Sequence, residues 1–498
     1  RKDGDGMPSG SSKKRPSSNK KKRQQQRGDA KKQPHQKPPS LEEVLAKAEA
    51  SLEASDVETA LSLFAYASDV LRSRLDGTAS SGVPSSSTAA MSEDEVKSLL
   101  SRVLGKAGEA RVSLGDPDGG RENFEEAIEV LGSAVTIDEE MEGREAADQS
   151  STVADAQLYD ARAGLHLYLG QLSSEKDALA SYQAGVKDLE RSVKILDRSA
   201  DAGADAHMRD DGEEEGSLKS ALVETRRQLG GAYCSILELY MTDLCFEPDA
   251  EEQCEAMLVS AMAIDDGTMP DALQAKANLR LTQRRGEEAV HSILEAYGRM
   301  KVGCEAMADL VGLGKEDCAE GEGGQKKRGN DDDEEAKAKE LVEIDAASSL
   351  PGFEFRCQTS KILLECAAVL GDSDRGGGGC GDEDNVGSDE NDARKNACVE
   401  SAIQVLGSLL AENDEVVEVW YLLGCAFEAM SPTSVDAAKY YWETALTMLA
   451  KVKEGMDQAG DDEVEDEEKQ CIIDQANEIK ERLDTMLDEA EEEGDMDE

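Results

Sequence analysis

Apolar residues recur every three to four positions along most of this chain, which is the spacing of one face of an α-helix. The first periodic segment follows Ser40, and Glu43 three positions later completes the sequence signature of a helix-starting capping box. No segment of useful length alternates apolar and polar residues as a half-buried strand does. The pattern therefore predicts helix after helix from about residue 41.

The helical segments fall into pairs with a shared arrangement of small and large residues. A small residue on the first helix is followed about twelve positions later by a small residue on the second helix, with large apolar residues around both. Seven copies carry this pattern, at Ala48, Ala60, Phe64 and Ala67; Leu104, Gly108, Phe124 and Ala127; Ala178, Tyr182 and Gly185; Gly230, Tyr233, Leu258 and Ala261; Leu273, Ala277, Ala289, Ile293 and Ala296; Ser360, Leu363, Ala402 and Leu406; and Trp420, Leu423, Gly424, Phe427, Ala438, Trp442 and Ala445.

This spacing has a direct physical meaning. Small residues let paired antiparallel helices approach closely, and large residues fill the gap to the next pair. The sequence therefore predicts an all-α fold, a tetratricopeptide-repeat (TPR) superhelical solenoid of about seven helix pairs. A run of unrelated amphipathic hairpins is the alternative, and it would imitate only two or three of the copies.

Composition divides the chain further. Residues 1–40 hold 13 Lys and Arg against 3 acidic residues and predict a disordered basic arm, whereas 454–498 hold 21 acidic residues against three basic ones. The predicted domains are the arm at 1–40, the solenoid at 41–453, an acidic linker at 454–469, a C-terminal capping helix at 470–488 and an acidic tail at 489–498. Gly-, Ser- and acid-rich stretches predict flexible insertions near 76–92, 197–216, 314–338 and 371–394.

Charge and cysteine usage narrow the function classes. With 55 Lys and Arg against 108 Asp and Glu, the net charge is −53, so the body of the protein repels nucleic-acid phosphates and anionic lipids and attracts basic partners. We expect no direct nucleic-acid partner and no membrane partner. The 11 cysteines are scattered singly, which indicates small buried hydrophobes in a reducing compartment and no metal site.

Sequence signals for catalysis are scarce. The chain has 4 histidines and no H-E-x-x-H, G-x-S-x-G or phosphate-loop motif, and acidic pairs are too abundant to mark an acid–base site. We therefore predict no enzyme activity, no catalytic residues and no cofactor. Function is expected in the groove that the first helix of each pair lines.

A net excess of acid is predicted along that groove, which suits a Lys/Arg-rich ligand. Expected groove positions also include Asn278 and Lys361. The predicted partner-binding residues are Asp243, Asp271, Glu354, Glu365, Glu418, Tyr421 and Glu428. In the basic arm, the clusters 13–15 and 20–23 resemble a two-part nuclear import signal, which would make importin a partner; a generic polycation tail is the alternative.

Three segments resemble a known family. The stretch 240–255 lengthens repeat four, Pro351-Gly352-Phe353-Glu354-Phe355-Arg356 opens repeat six, and 415–424 opens repeat seven. Together with the acidic tail, these resemble the TPR assembly chaperones dedicated to large-subunit ribosomal protein four. The resemblance implies a non-enzymatic factor of cytoplasm and nucleus that shields the client's basic internal loop, prevents its aggregation and escorts it to nuclear pre-ribosomes.

Two other classes stay open from the sequence alone. One is a scaffold or adaptor subunit of a larger complex, and the other is a general histone or basic-protein chaperone that works through its acidic tail. Removal of residues 455–498 is expected to abolish binding only for the tail-dependent class. Reversal of the charges of Glu354, Glu365, Glu418 and Glu428 is expected to weaken a groove binder more than loss of the tail.

Overall fold

The computed structural model describes residues 39–76, 91–135, 153–205, 212–264, 267–313, 350–375, 386–459 and 466–496. Within these residues the secondary structure is helical, with no strand. The helices are α1 Leu41–Glu53, α2 Val57–Leu75, α3 Glu93–Ser113, α4 Pro117–Val135, α5 Val153–Gln171, α6 Glu175–Asp205, α7 Gly212–Met241, α8 Ala250–Ile264, α9 Asp271–Thr282, α10 Gly286–Asp309, α11 Phe353–Arg375, α12 Val386–Glu412, α13 Val417–Ala429, α14 Val435–Ala459 and α15 Asp466–Met496.

The chain divides into two compact units, residues 1–115 and residues 116–498. In the first unit, α1 packs on α2 and α2 packs on α3. Ser40 and Ser92 begin α1 and α3 with capping boxes, and the predicted box of Ser40 with Glu43 is confirmed by reciprocal bonds of 2.8 and 3.2 Å. The boxes satisfy backbone N–H groups that have no partner inside a helix.

In the second unit, successive helices pair as the sequence predicts. Within it α5 packs on α6, α7 on α8, α9 on α10, α11 on α12, and α13 on α14. The large and small pattern residues fill the cores between these helices, so the predicted all-α repeat fold is confirmed. The first helices α7, α9, α11 and α13 also contact one another in order, which creates a continuous face.

The last pair shows why the small residues are required. A methyl group added at Gly424 of α13 would overlap two ring atoms of Trp442 on α14. Trp442 is completely buried, and its indole N–H donates to the carbonyl of Tyr421 at 3.2 Å. Glycine at 424 therefore sets the closest approach of the two helices.

The helices extend further than several predicted boundaries. In the predicted insertion at 197–216, α6 runs to Asp205 and α7 begins at Gly212; in that at 371–394, α11 runs to Arg375 and α12 begins at Val386. The helical backbone therefore continues into the polar margins of both predicted insertions. Most of the basic arm at 1–40 and of the insertions at 76–92 and 314–338 lies outside the described residues.

The C-terminal helix is also longer than predicted. The predicted helix at 470–488 lies inside α15, which begins in the predicted linker and continues through Met496 in the predicted tail. Ile479, Leu483 and Met486 of α15 are buried in the core shared with the last pairs, and α15 packs on α14. It therefore covers the apolar face that the last pair exposes, as a terminal repeat cap must.

Candidate functional site

The first helices of the second unit line two cavities. The middle cavity has a volume of about 370 Å³ and is lined mainly by α5, α7, α9 and α11. The end cavity has a volume of about 620 Å³ and lies between α11, α12, α13 and α15. These two cavities form the candidate functional site, because the first helices supply most of the residues that line them.

The middle cavity is negatively charged, because its charged lining residues in the described part of the chain are both acidic. Glu238 on α7 and Asp271 at the start of α9 are its charged lining residues. The thiol of Cys234 on the same wall has its pKa raised to about 12, first by burial and then by the fields of Asp271 and Glu238. A cation that entered this cavity would gain the attraction of both carboxylates.

Carboxamide side chains also line the middle cavity, and they come from four first helices. The cavity-lining carboxamides are Gln171, Gln228, Gln274, Asn278 and Gln358. Gln274 is held in place because its Nε2 donates to the carbonyl of Phe355 at 2.8 Å and to Oγ1 of Thr359 at 2.7 Å. These bonds tie α9 to α11 at the wall of the cavity.

The end cavity has mixed charge, unlike the prediction of a net acidic groove. Lys361, Lys395 and Arg482 line it together with Asp392 and Glu428. Positive and negative groups therefore compensate one another there, whereas the charged residues that are described as lining the middle cavity are both acidic.

At the end cavity, Arg482 of α15 binds two of the predicted partner-binding residues. Its guanidinium donates to the hydroxyl of Tyr421 at 3.0 Å and to Oε2 of Glu428 at 2.7 Å, and it lies 5.7 Å from the ring centre of Trp442. Burial raises the pKa of Tyr421 to about 12, with a further contribution from Cys425. Tyr421 and Glu428 thus bind an arginine of the same chain.

The remaining predicted residues are dispersed. Glu418 is paired with Lys361 at 2.7 Å, and Glu354 and Glu365 are exposed on α11 and line neither cavity. Asp243 lies in the turn after α7, where its carboxylate accepts a bond from the backbone N–H of Glu175 at 3.3 Å. Asp271 and Asn278 meet in the middle cavity, next to Glu238, which the sequence prediction missed.

Replacement of Arg482 by alanine is expected to lower the free energy of unfolding by about 1 kcal/mol, because the lost bonds involve charged but partly exposed groups. Amide hydrogen exchange in α15 should become faster, since Arg482 joins α15 to α13. The matched control is Lys480→Ala on the exposed face of the same helix. Equal exchange rates in the two variants would show that Arg482 does not secure α15.

The cysteines of the described residues lie mostly in the core. The nine described cysteines are free thiols, and six of them are buried, as predicted for small hydrophobes. Burial raises the pKa of Cys366 and Cys398 to about 12, which keeps these thiols protonated. No cluster of three His, Cys, Asp or Glu suited to a metal ion is present among the described residues, and none of their helices has the length and apolarity of a membrane span.

The fold and groove define a helix-repeat protein whose first helices present a negatively charged cavity. Comparison with known proteins gives one more specific likeness: the chain is 26% identical over 332 residues to the "Probable assembly chaperone of rpl4" of Schizosaccharomyces pombe (strain 972 / ATCC 24843), covering 64% of this chain and 69% of that protein. This likeness confirms the resemblance predicted from the sequence. No family model matches the chain.

Solved helical-repeat structures align with this chain only loosely. A circular tandem repeat protein with novel repeat topology has a TM-score of 0.23 at 13% identity and is aligned over 91% of this chain and 97% of its own. Yeast Tom70 has a TM-score of 0.16 at 12% identity, over 89% and 96% of the two chains.

Proposed function

We propose that this protein is a non-enzymatic chaperone that binds a newly made basic ribosomal protein, with large-subunit ribosomal protein four as the client. The observation that supports this proposal is the middle cavity, where the charged lining residues found in the described part of the chain, Glu238 and Asp271, are both acidic. Lysine and arginine side chains of a ribosomal protein would be neutralised there. The name of the Schizosaccharomyces pombe relative supports the choice of client.

A chaperone of this kind protects its client by competing with RNA. A free ribosomal protein exposes Lys and Arg that bind phosphates without sequence preference, which promotes aggregation with nucleic acid. Carboxylates in the groove would hold these side chains until a pre-ribosome offers more phosphate contacts. Escort from cytoplasm to nucleus is part of the proposal, with importin binding to the basic clusters 13–15 and 20–23 of the arm.

The middle cavity can be tested by removing its two charges without changing side-chain size. The double variant Glu238→Gln and Asp271→Asn is expected to bind purified ribosomal protein four about tenfold more weakly, and with a shallower dependence on salt, because two attractive charges are lost. The matched control, Glu252→Gln with Asp177→Asn, removes two exposed charges from the second helices α8 and α6. Isothermal titration calorimetry at two salt concentrations measures both effects.

The outcomes separate the proposal from its alternatives. If the control variant weakened the binding of ribosomal protein four equally, the net charge of the protein, and not the cavity, would determine the affinity. Equally tight binding of histones by the wild-type protein would favour a general basic-protein chaperone. A scaffold would instead co-purify with non-ribosomal partners regardless of salt.

The contribution of the acidic C-terminus to client binding has to be tested with a shorter truncation than the removal of residues 455–498. Removal of residues 455–498 would delete α15, whose Ile479, Leu483 and Met486 are buried, and so would damage the core. Removal of residues 489–498 takes away acidic charge and keeps the buried part of α15. A groove binder should retain most of its affinity for the client after this shorter truncation.

A further inference from the structure

We infer that a separate cavity, lined by arginines, binds a short acidic segment of a partner protein that also carries aliphatic side chains. This arginine cavity has a volume of about 350 Å³ and lies between α7, the end of α8, α10 and the residues that precede α9 and α11. It shares no lining residue with the middle cavity or the end cavity. The inference goes beyond the proposed function, because the ligand has the opposite charge to a basic client.

The charge of this cavity is opposite to the charge of the protein. Arg226 and Arg227 of α7 and Arg299 of α10 line it, and Glu224 is the acidic residue found among its described lining residues. The protein as a whole has a net charge of −53. The arginines therefore create a local site that attracts an anionic group on a surface that otherwise repels it.

Arg227 is the arginine best placed to contact a ligand. It is exposed, and no hydrogen bond or ion pair of its side chain is found in the described part of the chain. The carboxylate of Glu224 accepts a hydrogen bond from Nε2 of Gln228 at 3.2 Å. Because a guanidinium presents parallel N–H groups that a carboxylate can accept together, Arg227 is expected to bind an Asp or Glu side chain of the partner.

The other two arginines of the cavity are held by the chain itself. Arg226 pairs with Asp197 at 2.7 Å, and Arg299 pairs with Glu295 at 3.3 Å. These carboxylates offset part of the positive charge, so Arg226 and Arg299 contribute a weaker attraction than Arg227. Their positions are already fixed, however, and a ligand that binds beside them orders fewer side chains.

An apolar wall beside the arginines defines the ligand further. Val223, one turn before Arg227, is 53% exposed, and Val302 of α10 is 51% exposed. Ile264 and Leu350 also line the cavity. Exposed apolar surface next to charged groups is typical of a protein-binding site. The occupant that fits is therefore a segment that alternates carboxylates with aliphatic side chains.

RNA fits the cavity less well than such a segment. Its phosphates extend over a long stretch of surface, most of which is acidic on this protein. A short acidic peptide meets mainly the arginines, because charges more than about 8 Å away are largely screened at physiological salt. RNA also has no aliphatic side chains that could cover Val223 and Val302.

The test measures the binding of a fluorescently labelled peptide to the full-length protein. The peptide alternates aspartate and leucine over about six residues, which span about 20 Å when extended. Arg227→Gln is expected to bind it about fivefold more weakly, because a charge-assisted bond at a partly exposed site is lost. Glu224→Gln is expected to bind it about twofold more tightly, because a repelling carboxylate is removed. Fluorescence anisotropy measures both effects.

The matched control is Arg102→Gln, which removes an exposed arginine of α3 and should bind the peptide as the wild-type protein does. A peptide with serine in place of leucine should bind about threefold more weakly, because it does not cover the apolar wall. The variant Glu238→Gln with Asp271→Asn should not weaken peptide binding, so failure of this inference is distinct from failure of the proposed function.

Three results would overturn the inference. The first is a wild-type protein that does not bind the aspartate–leucine peptide, and the second is an equal loss of affinity in Arg227→Gln and Arg102→Gln. The third is tighter binding of a single-stranded RNA of similar length that Arg227→Gln also weakens, which would make the cavity a nucleic-acid site.

Discussion

Replacement of Asp188 by alanine is expected to lower the free energy of unfolding by about 3–5 kcal/mol, among the largest effects of any single change in this protein. Asp188 on α6 forms a bidentate pair with Arg162 on α5, with N–O distances of 2.6 and 2.7 Å. The two side chains are only 9% and 4% exposed. Alanine would leave the guanidinium of Arg162 buried beside Tyr159 without its carboxylate.

The control for this prediction is an exposed pair between neighbouring elements. Asp197 pairs with Arg226 at 2.7 Å, but both side chains are about two-fifths exposed, so Asp197→Ala should cost at most about 1 kcal/mol. The double variant Arg162→Met and Asp188→Leu removes both buried charges and should be more stable than Asp188→Ala alone. Urea unfolding measures all three. Similar losses for Asp188→Ala and Asp197→Ala would contradict the assigned role of burial.

The fold was predictable because its signal is local and repeated. Ala48, Ala60 and Phe64 illustrate this: their spacing alone marked them as contact residues, and each is at most 2% exposed. The buried pair of Arg162 with Asp188 gave no such signal, because its members lie on different helices in a chain full of charge. Only the packing of α5 on α6 brings these two side chains together.

The candidate site was predicted less well, for two physical reasons. The helical pattern predicts which residues face the groove, but it does not show which of them bond to another part of the same chain. Arg482 of α15, which lies outside the repeats, donates hydrogen bonds to Tyr421 and Glu428. Because carboxamides carry no charge, the prediction of acidic groove positions did not include Gln171 and Gln358. Their shared position on one cavity appears only when the chain is folded.

One motif behind the family resemblance proves to have a structural role. Arg356, in the segment that opens repeat six, is only 3% exposed and donates to the carbonyl of Pro351 and to Oγ of Ser408, both at 2.9 Å. It also pairs with Glu412 near the end of α12. The motif thus fixes the start of α11 against α12, and so positions Gln358 of the middle cavity two residues later.

Replacement of Trp442 by alanine is expected to lower the free energy of unfolding by about 3–5 kcal/mol, because a large buried aromatic ring leaves a cavity that the helices cannot fully close. Trp442 is 0% exposed at the centre of the last pair and also lies against Arg482 of α15. Thermal or urea unfolding measures the loss. Tyr440→Ala, at a neighbouring residue that is 59% exposed, should change stability by no more than about 0.5 kcal/mol.

Gly424 provides a sharper check of the same packing. In the wild-type protein Gly424→Ala should cost about 1–3 kcal/mol, since its methyl group would overlap the indole ring of Trp442. In the Trp442→Ala background the ring is absent, so the added methyl fills part of the cavity and alanine also favours the helix. There Gly424→Ala should be neutral or stabilising. An equal loss of unfolding free energy in both backgrounds would mean that Gly424 and Trp442 do not set the distance between these two helices. It would then contradict the explanation of the repeat pattern by close approach at small residues.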